Sequence, residues 1–218
     1  MTIETYTGPM FCEKTGRMIR EIMVKEHGGW VQGEDFEVFN HATDTRYGDG
    51  VISTHDGDQV PSYMAKDSFD LLGKIAEWDG SCWVLREEYA DLKTIFVDEA
   101  EFFDMDLIGV VDYIDQMLGV DVYLAGLDTD FRGKPFPGPM PGLLAIADRV
   151  HKYKAGCKSE EKCGEGATRT QRIVNGVPAG YHDEIKLVGA AEAYQARCKA
   201  DHVFREDDPK PVPFADRF

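Results

Sequence analysis

Basic residues are scarce in this sequence relative to acidic ones. Its 218 residues include 24 Lys or Arg against 40 Asp or Glu, which gives a net charge of −16. Binding to nucleic acid or to an anionic bilayer requires a basic face, so this balance argues against a polyanion as the main partner. A small anionic ligand remains compatible, because loop amides hold phosphates without net positive charge.

Long apolar runs and an export signal are also missing. No window approaches the roughly 18 apolar residues that a spanning helix needs, and residues 1–5 lack the basic-then-apolar pattern of a signal peptide. The sequence therefore predicts a cytoplasmic protein without a membrane partner. Its cysteine count of 5 is odd, which favours thiols or metal ligands over a disulfide framework.

What the sequence does contain is an alternation of short apolar runs and helical periodicity. The patterns predict strands at 3–7, 36–39, 94–97 and 120–124, helices at 15–25, 66–78 and 107–118, and a polar loop at 44–50. This order is typical of an α/β fold with a P-loop NTPase-like parallel sheet and flanking helices. Loops that follow the strands then meet at one edge of the sheet.

Residues 8–15 nearly form a phosphate-binding loop. The pattern Gly-x-x-x-x-Gly-Lys-Ser/Thr works because amides wrap the phosphates, the lysine meets the outer ones and the hydroxyl binds magnesium. Gly8, Lys14 and Thr15 fit, whereas Glu13 stands at the second glycine and adds a Cβ and a negative charge. The loop indicates nucleotide binding, with an ordinary strand-turn-helix junction as the alternative.

The apolar strand at 94–97 ends on Asp98 and Glu99. In P-loop enzymes an acid at such a strand end holds the magnesium of the nucleotide, and a neighbouring carboxylate can accept a proton from an attacking hydroxyl. The alternative is a strand end with solvated acids, which is common in so acidic a protein.

Cysteines and a histidine recur after residue 150. Cys157, Cys163, Cys198 and His202 form a C-x5-C pair and a C-x3-H pair, a plausible tetrahedral zinc set, with unrelated thiols as the alternative. The change of composition predicts a P-loop domain at 1–149, a small ribbon-like domain at 150–202 and a flexible proline-containing tail at 203–218.

Five segments of the sequence match one family of enzymes. They lie at 8–15, at 44–47 (Asp-Thr-Arg-Tyr), at 97–103 (Val-Asp-Glu-Ala-Glu-Phe-Phe), at 126–136 (Gly-Leu-Asp-Thr-Asp-Phe-Arg-Gly-Lys-Pro-Phe) and at 167–172 (Ala-Thr-Arg-Thr-Gln-Arg). Together they resemble the zinc-containing thymidine kinases, in order from residue 6 to about residue 202. The resemblance implies ATP-dependent phosphorylation of thymidine, or deoxyuridine, at the 5′-hydroxyl in nucleotide salvage. It also implies a homo-oligomer, usually a tetramer, with feedback by thymidine triphosphate.

The resemblance also assigns roles to residues. Glu99 matches the proton acceptor, Thr15 and Asp98 the magnesium site, and a lasso at 170–189 closes over the base. The matching ATP and phosphate contacts are Gly8, Pro9, Met10, Phe11, Cys12, Glu13, Lys14, Thr15, Arg46 and Asp98. The matching nucleoside contacts are Met10, Glu101, Phe102, Leu127, Phe131, Phe136, Thr170, Ile185, Gly189 and Tyr194.

Departures from the family pattern leave three questions open. Glu13 replaces the family glycine, so a non-catalytic nucleoside- or nucleotide-binding relative with a degraded phosphate loop is the alternative function. Glu101 replaces a common glutamine, which together with the altered ribbon leaves a different deoxynucleoside as a possible acceptor. The position of the family's fourth zinc ligand holds Asp201, with His202 one residue later, and a carboxylate can also bind zinc. Asp201 is therefore the rival of His202.

Overall fold

The protein is represented by a computed structural model that describes residues 1–43, 50–53, 57–159, 163–185 and 194–211. Up to residue 152 the elements are β1 (Ile3–Thr7), α1 (Lys14–His27), β2 (Phe36–His41), β3 (Val51–Ser53), β4 (Gln59–Pro61), β5 (Tyr63–Ala65), α2 (Ser68–Ile75), β6 (Ala76–Trp78), β7 (Trp83–Leu85), β8 (Thr94–Val97), α3 (Leu107–Gln116), β9 (Asp121–Gly126), α4 (Met140–Ile146) and β10 (Arg149–Lys152). None of the helices within these ranges has both the length and the apolar content that crossing a bilayer requires.

Six strands form one parallel sheet in the order β10-β1-β9-β8-β2-β5. Every residue of β1, β2 and β8 is buried, as expected of parallel strands that are covered on both faces. The sheet confirms the predicted α/β class. It also brings the loops after β1, β8 and β9 to the same edge.

Alternate residues of each central strand face two different apolar layers. In β8, Ile95 and Val97 pack in the layer that contains α2, α3 and α4. Phe96, between them, packs in the layer that contains Met18, Ile19 and Ile22 of α1. Because both layers are fully buried, the sheet is a rigid platform for the loops at its carboxyl edge.

The helix predicted at 66–78 is shorter than its periodicity suggests. It ends at Ile75, and Ala76–Trp78 instead pairs antiparallel with Trp83–Leu85. The Ile75 carbonyl accepts a hydrogen bond from the Arg86 amide, so the hairpin rather than a further helical turn uses it. The rings of Trp78 and Trp83 pack edge to face across the hairpin, 6.2 Å apart.

The remaining strands form a small ribbon. They are β11 (Ala155–Gly156), β12 (Gly166–Ala167), β13 (Arg169–Val174), β14 (Val177–Pro178) and β15 (Tyr194–Arg197), with β11 on β12 and β13 between β14 and β15. Ala155, Ala167 and Ala196 of this ribbon share a small core with Cys12 of the phosphate loop. The ribbon therefore packs directly on the loop that follows β1.

The predicted boundaries fall within contacting regions of the structure. β10 covers Arg149–Lys152 and belongs to the main sheet, whereas the predicted P-loop domain ends at residue 149. Of the predicted flexible tail, residues 203–211 are described, and several of them bond to the ribbon: the Val203 amide donates to the Gln171 side chain at 2.9 Å.

Candidate active site

The phosphate loop begins with a glycine that the fold requires. Gly8 has φ 146°, a conformation that side chains rarely adopt. A Cβ at Gly8 would lie 2.6 Å from the carbonyl oxygen of Tyr153, which follows β10. The first glycine of the motif is therefore needed for its backbone angle and for close packing against the start of the ribbon.

Glu13, at the position of the second glycine, has φ 63° and ψ 27°. This is the left-handed region that glycine enters without steric cost and that costs other residues roughly 1–2 kcal/mol. The residue is exposed, and its carbonyl accepts the Arg17 amide of α1 at 2.9 Å. The loop thus keeps the backbone shape for which glycine is normally used, despite the glutamate.

Lys14 is the first residue of α1 and is buried, with 9% of its surface exposed. Burial by itself lowers the pKa of this ammonium group, but the nearby carboxylates of Glu99 and Glu101 outweigh it and raise the pKa above its ordinary value. Lys14 therefore keeps its charge within the site.

Thr15 and Asp98 connect the phosphate loop to the end of β8. The Thr15 hydroxyl donates to Asp98 Oδ1 at 3.1 Å, and the Glu99 amide donates to the same oxygen at 3.0 Å. Burial and the charge of Glu99 raise the pKa of Asp98, which is 3% exposed. A hydroxyl and a carboxylate placed together in this way are the protein groups that hold magnesium in P-loop enzymes.

Glu99 follows directly and is 8% exposed. Its backbone is left-handed, with φ 51° and ψ 39°, and it precedes a short 3-10 helix over Ala100–Phe102. A non-glycine residue in this region costs about 1–3 kcal/mol and persists only where the surroundings enforce it. The strain fixes the direction in which the Glu99 carboxylate leaves the strand end.

Glu101 is fully buried behind Glu99. Neither of its side-chain oxygens makes a well-formed hydrogen bond within the described part of the chain, and the Glu99 side chain lies close enough to interact with it. A Cβ at Gly126 would lie 2.8 Å from its Oε2, so the carboxyl group packs against the end of β9. Burial, followed by the charge of Glu99, raises the pKa of Glu101 well above its ordinary value.

Aromatic side chains surround the same edge of the sheet. The rings of Phe102 and Phe136 meet edge to face with centroids 6.1 Å apart. Phe131 is buried, with the Arg172 guanidinium 5.5 Å from its ring centroid. The arrangement provides flat apolar surfaces beside the carboxylates, as a planar base requires.

The 126–136 loop, which carries Phe131 and Phe136, is held by its own hydrogen bonds. The Phe136 amide donates to the Asp128 carbonyl at 3.0 Å. The buried Asp130 carboxylate accepts the amides of Arg132 and Lys134 at 2.9 and 3.1 Å. Leu127, at the start of the loop, is half-buried. This loop is a preformed part of the site.

The remaining predicted ligand contacts lie in the ribbon or outside the described residues. The hydroxyl of Thr170 in β13 accepts the Met10 amide at 3.1 Å, so it joins the ribbon to the phosphate loop. Tyr194 starts β15 opposite Arg172, and Ile185 is half-buried at the end of a described segment. Arg46 and Gly189 lie outside the described residues.

Three thiols and a carboxylate meet at one end of the ribbon. One ligand atom from each of Cys157, Cys163, Cys198 and Asp201 lies within 4.8 Å of the others, and Cys157 Sγ is 3.3 Å from Asp201 Oδ2. The thiols, Cys163 first, donate to Asp201 and lower the pKa of its carboxyl group to about 2. We call these four residues the thiol cluster.

The rival residue Asp201, and not the predicted ligand His202, lies with the thiols. His202 Nε2 donates to the Phe131 carbonyl at 2.8 Å, on the side of the 126–136 loop. Adjacent residues at this turn face opposite ways, so the shift of one position along the chain moves the imidazole to a different partner. The structure thereby links the end of the ribbon to the aromatic side of the site.

Comparison with models of known protein families finds a match to one described as thymidine kinase, over residues 1–202. The chain belongs to the thymidine kinase family. It is therefore a kinase, a nucleotide-binding transferase that acts on thymidine. The match spans the sheet and the ribbon and leaves residues 203–218 outside. The thiol cluster is consistent with the zinc-containing type of thymidine kinase.

Sequence reasoning missed one residue near the nucleoside side of this thymidine kinase. His41 ends β2, and its ring packs edge to face on Phe103 at 4.7 Å and lies 6.4 Å from the Phe102 ring. Its Nδ1 lies 2.8 Å from the Thr43 hydroxyl. The available signal was its place at the carboxyl end of a buried parallel strand, where ligands bind in such sheets.

Proposed function

We propose that this thymidine kinase transfers the γ-phosphoryl group of ATP to the 5′-hydroxyl of thymidine or deoxyuridine, and so serves nucleotide salvage. The observation that supports it most is the 3.1 Å hydrogen bond between the Thr15 hydroxyl and Asp98. Together with the buried Lys14 beside them, this pair reproduces the phosphate and magnesium groups of P-loop enzymes.

Each group then has a defined task. Lys14 neutralises charge on the outer phosphates, and Thr15 and Asp98 would hold a magnesium ion, which would neutralise further phosphate charge when bound. Glu99, adjacent to Asp98, accepts the proton of the attacking hydroxyl. Phosphoryl transfer needs little covalent help, so positioning and charge stabilisation account for most of the rate.

The aromatic side chains serve the nucleoside. We infer that the pyrimidine ring lies against Phe102, Phe131 and Phe136, which are buried or half-buried at the same edge of the sheet as Glu99. Aromatic rings bind a flat base with little loss of rotamer entropy and keep water away from the transferred group. The preformed 126–136 loop reduces the ordering that binding requires.

A steady-state assay with ATP, magnesium and thymidine tests the proposal. We expect thymidine monophosphate to form, and Glu99→Gln to lower kcat by about 10²–10⁴-fold because it removes a general base. Glu26→Gln, at an exposed position of α1, is the matched control and should keep normal kcat. Thymidine binding without any turnover in the unaltered chain would contradict the proposal and support a non-catalytic relative.

We further propose that the thiol cluster holds a structural zinc ion through Cys157, Cys163, Cys198 and Asp201. Tetrahedral zinc with Zn–S bonds of about 2.3 Å separates its sulfur ligands by roughly 3.8 Å. The mutual separations within 4.8 Å in the cluster are compatible with that geometry. Three thiolates favour zinc over magnesium or calcium, which prefer oxygen ligands.

Assembly and location remain expectations from the family. We expect a cytoplasmic homotetramer, and sedimentation analysis of the purified chain, with a 24.5 kDa subunit, measures the number of subunits.

A further inference from the structure

Residues 203–208 lie beyond the family match, which ends at residue 202. They nevertheless run along residues 179–183, which follow β14 in the ribbon. The Arg205 amide donates to the Ala179 carbonyl at 3.1 Å, and the Tyr181 amide donates to the Asp208 carbonyl at 3.0 Å. We call residues 203–208 the strap.

Asp208 contributes more than its backbone. Its Oδ2 accepts the His182 amide at 2.9 Å, so this one residue receives two consecutive amides of the ribbon. A Cβ at Gly180 would lie 2.5 Å from the same oxygen and 2.9 Å from the Arg205 guanidinium. A side chain at position 180 would therefore displace the Asp208 carboxylate and the Arg205 guanidinium from these positions.

The other side of this contact reaches the aromatic part of the site. The buried Tyr181 ring packs edge to face on Phe204 at 5.3 Å, and Lys134 of the 126–136 loop lies 5.4 Å from its centroid. Phe204 also packs on the His202 ring at 5.1 Å, and His202 donates to the Phe131 carbonyl. The strap is thus connected to the loop that carries Phe131 from two directions.

We propose that the strap fixes residues 179–183 against the 126–136 loop and thereby sets the affinity for the nucleoside, with Asp208 as a positioning residue. The inference rests on the proposed function in one respect, the role of Phe131 in binding the base. Without the strap, residues 179–183 lose hydrogen bonds and the Tyr181 ring loses its packing partner. The hydrogen bonds and ring contacts of the strap are with residues 179–183, Gln171 and His202, so we expect thymidine affinity to change more than ATP affinity.

The experiment measures thymidine dissociation constants by calorimetry on the full chain and on variants. Truncation after Val203 removes most of the strap, whereas truncation after Lys210 removes only residues beyond it and is the control. Truncation after Val203 removes three hydrogen bonds to residues 179–183, and we expect the equivalent of one to two of them to be lost from nucleoside binding. This predicts roughly a 5- to 30-fold weaker thymidine affinity for the first variant and an unchanged value for the second. The KM for ATP should stay within about twofold of normal in both.

Two point variants keep the test valid if the truncated chain does not fold. Gly180→Ala places a methyl group against Asp208 Oδ2, whereas Gly156→Ala, in the same ribbon, meets nothing within 4 Å. We expect only Gly180→Ala to weaken thymidine binding, with faster hydrogen exchange at the Tyr181 and His182 amides. Faster exchange with unchanged thymidine affinity would overturn the proposal.

Calorimetry also separates this inference from the proposed function. If the full chain binds thymidine but forms no monophosphate, the kinase proposal fails while the strap is still tested by affinity. If the full chain binds thymidine normally and the variant truncated after Val203 binds it equally well, the strap proposal fails while the kinase proposal stands.

Discussion

Glu13 and Glu99 are two non-glycine residues with left-handed backbones, and they lie at the two loops that meet at the reaction site. Each conformation costs of order 1–3 kcal/mol. At Glu99 the strain directs a candidate base. At Glu13 the side chain is exposed and the described contacts give it no such role. The strain there is needed only for the shape of the loop.

Replacing Glu13 by glycine should therefore stabilise the protein. Relief of the left-handed strain, less the extra chain entropy of glycine, leaves a gain of about 0.5–1 kcal/mol. For a chain of this size, that raises the midpoint of thermal unfolding by about 1–4 °C. Kinase activity should change less than about threefold, because the backbone shape is already correct.

Glu13→Ala is the control for this prediction. Alanine removes the charge but keeps a Cβ, so it should not reproduce the gain. Equal stabilisation by alanine would show that charge, not backbone strain, limits the loop. A new activity that appears only in Glu13→Gly would favour the degraded-loop interpretation.

Glu101 should make stability depend on pH. Its pKa is raised in the folded protein, so its contribution is fully present below the ordinary value of 4.5 and is lost as pH rises through the folded value. Glu101→Gln does not titrate. We therefore expect the variant to gain about 1–3 kcal/mol over the unaltered chain at pH 9, and little or nothing at pH 5.

Chemical unfolding at both pH values measures this effect. Glu88→Gln, at an exposed position, is the control and should show no pH-dependent difference from the unaltered chain. A Glu101→Gln variant that is less stable at pH 9 than at pH 5, relative to the unaltered chain, contradicts the account of a buried carboxyl group whose pKa is raised by burial and by Glu99.

At the residue scale, the sequence places Lys14 and Thr15 after β1 and Asp98 after β8, and in the structure the Thr15 hydroxyl donates to Asp98. The sequence motif determines which groups follow each strand. The parallel sheet then brings the carboxyl ends of those strands to the same edge. Residue spacing does not reveal that Glu13 has a left-handed backbone, because the conformation of a single loop residue produces no periodic pattern in the sequence. Nor does it separate Asp201 from His202, since two adjacent polar residues in a turn face different partners.

At the scale of elements, the proposed zinc site of the ribbon can be tested through its ligand residues. Asp201→Ala should lower the zinc content of purified protein below one ion per chain, because it removes one of four ligand positions. His202→Ala should leave zinc content unchanged, since its ring lies on the Phe131 carbonyl. Elemental analysis of both variants measures this directly.

The reverse result, zinc lost in His202→Ala and retained in Asp201→Ala, would contradict the ligand assignment. Because His202 contacts the aromatic loop, its variant should instead weaken thymidine binding. The two adjacent positions thus serve as each other's control.

At the element scale, the strands of the main sheet were easier to predict than the ends of α2. Continuous apolar runs such as 94–97 are typical of buried parallel strands, and β8 has these bounds. Residues 76–78 continue the helical periodicity of α2, but they pair with β7 through a cross-strand tryptophan contact. Pairing with residues further along the chain overrides the local helical pattern, and the local sequence alone does not predict that pairing.

At the scale of the whole molecule, the phosphate loop packs on the ribbon through a small buried core. This core joins Cys12 to alanines of the ribbon, and the Met10 amide bonds to Thr170. All 3 tryptophans, Trp30, Trp78 and Trp83, lie outside the ribbon. Their fluorescence therefore reports unfolding of the sheet and not of the ribbon.

We expect a zinc chelator to lower the midpoint of the tryptophan-detected thermal transition by a few degrees, about the effect of 1 kcal/mol at this size. The reason is that loss of zinc would loosen the ribbon and weaken its contacts with Cys12 and Met10 of the phosphate loop. Cys198→Ala, which lacks one ligand, should not respond to the chelator. An unchanged tryptophan transition in the unaltered chain would show that ribbon and sheet unfold independently.

The hydrogen bond between Met10 and Thr170 couples the phosphate loop to the ribbon, so zinc availability and nucleotide binding can influence each other. If metal in the ribbon favours the nucleotide-binding shape of the loop, thermodynamic reciprocity requires bound nucleotide to tighten the metal by the same factor. When zinc is limiting in the cell, enzyme molecules without bound ATP would then lose zinc first, whereas ATP-bound molecules would retain it.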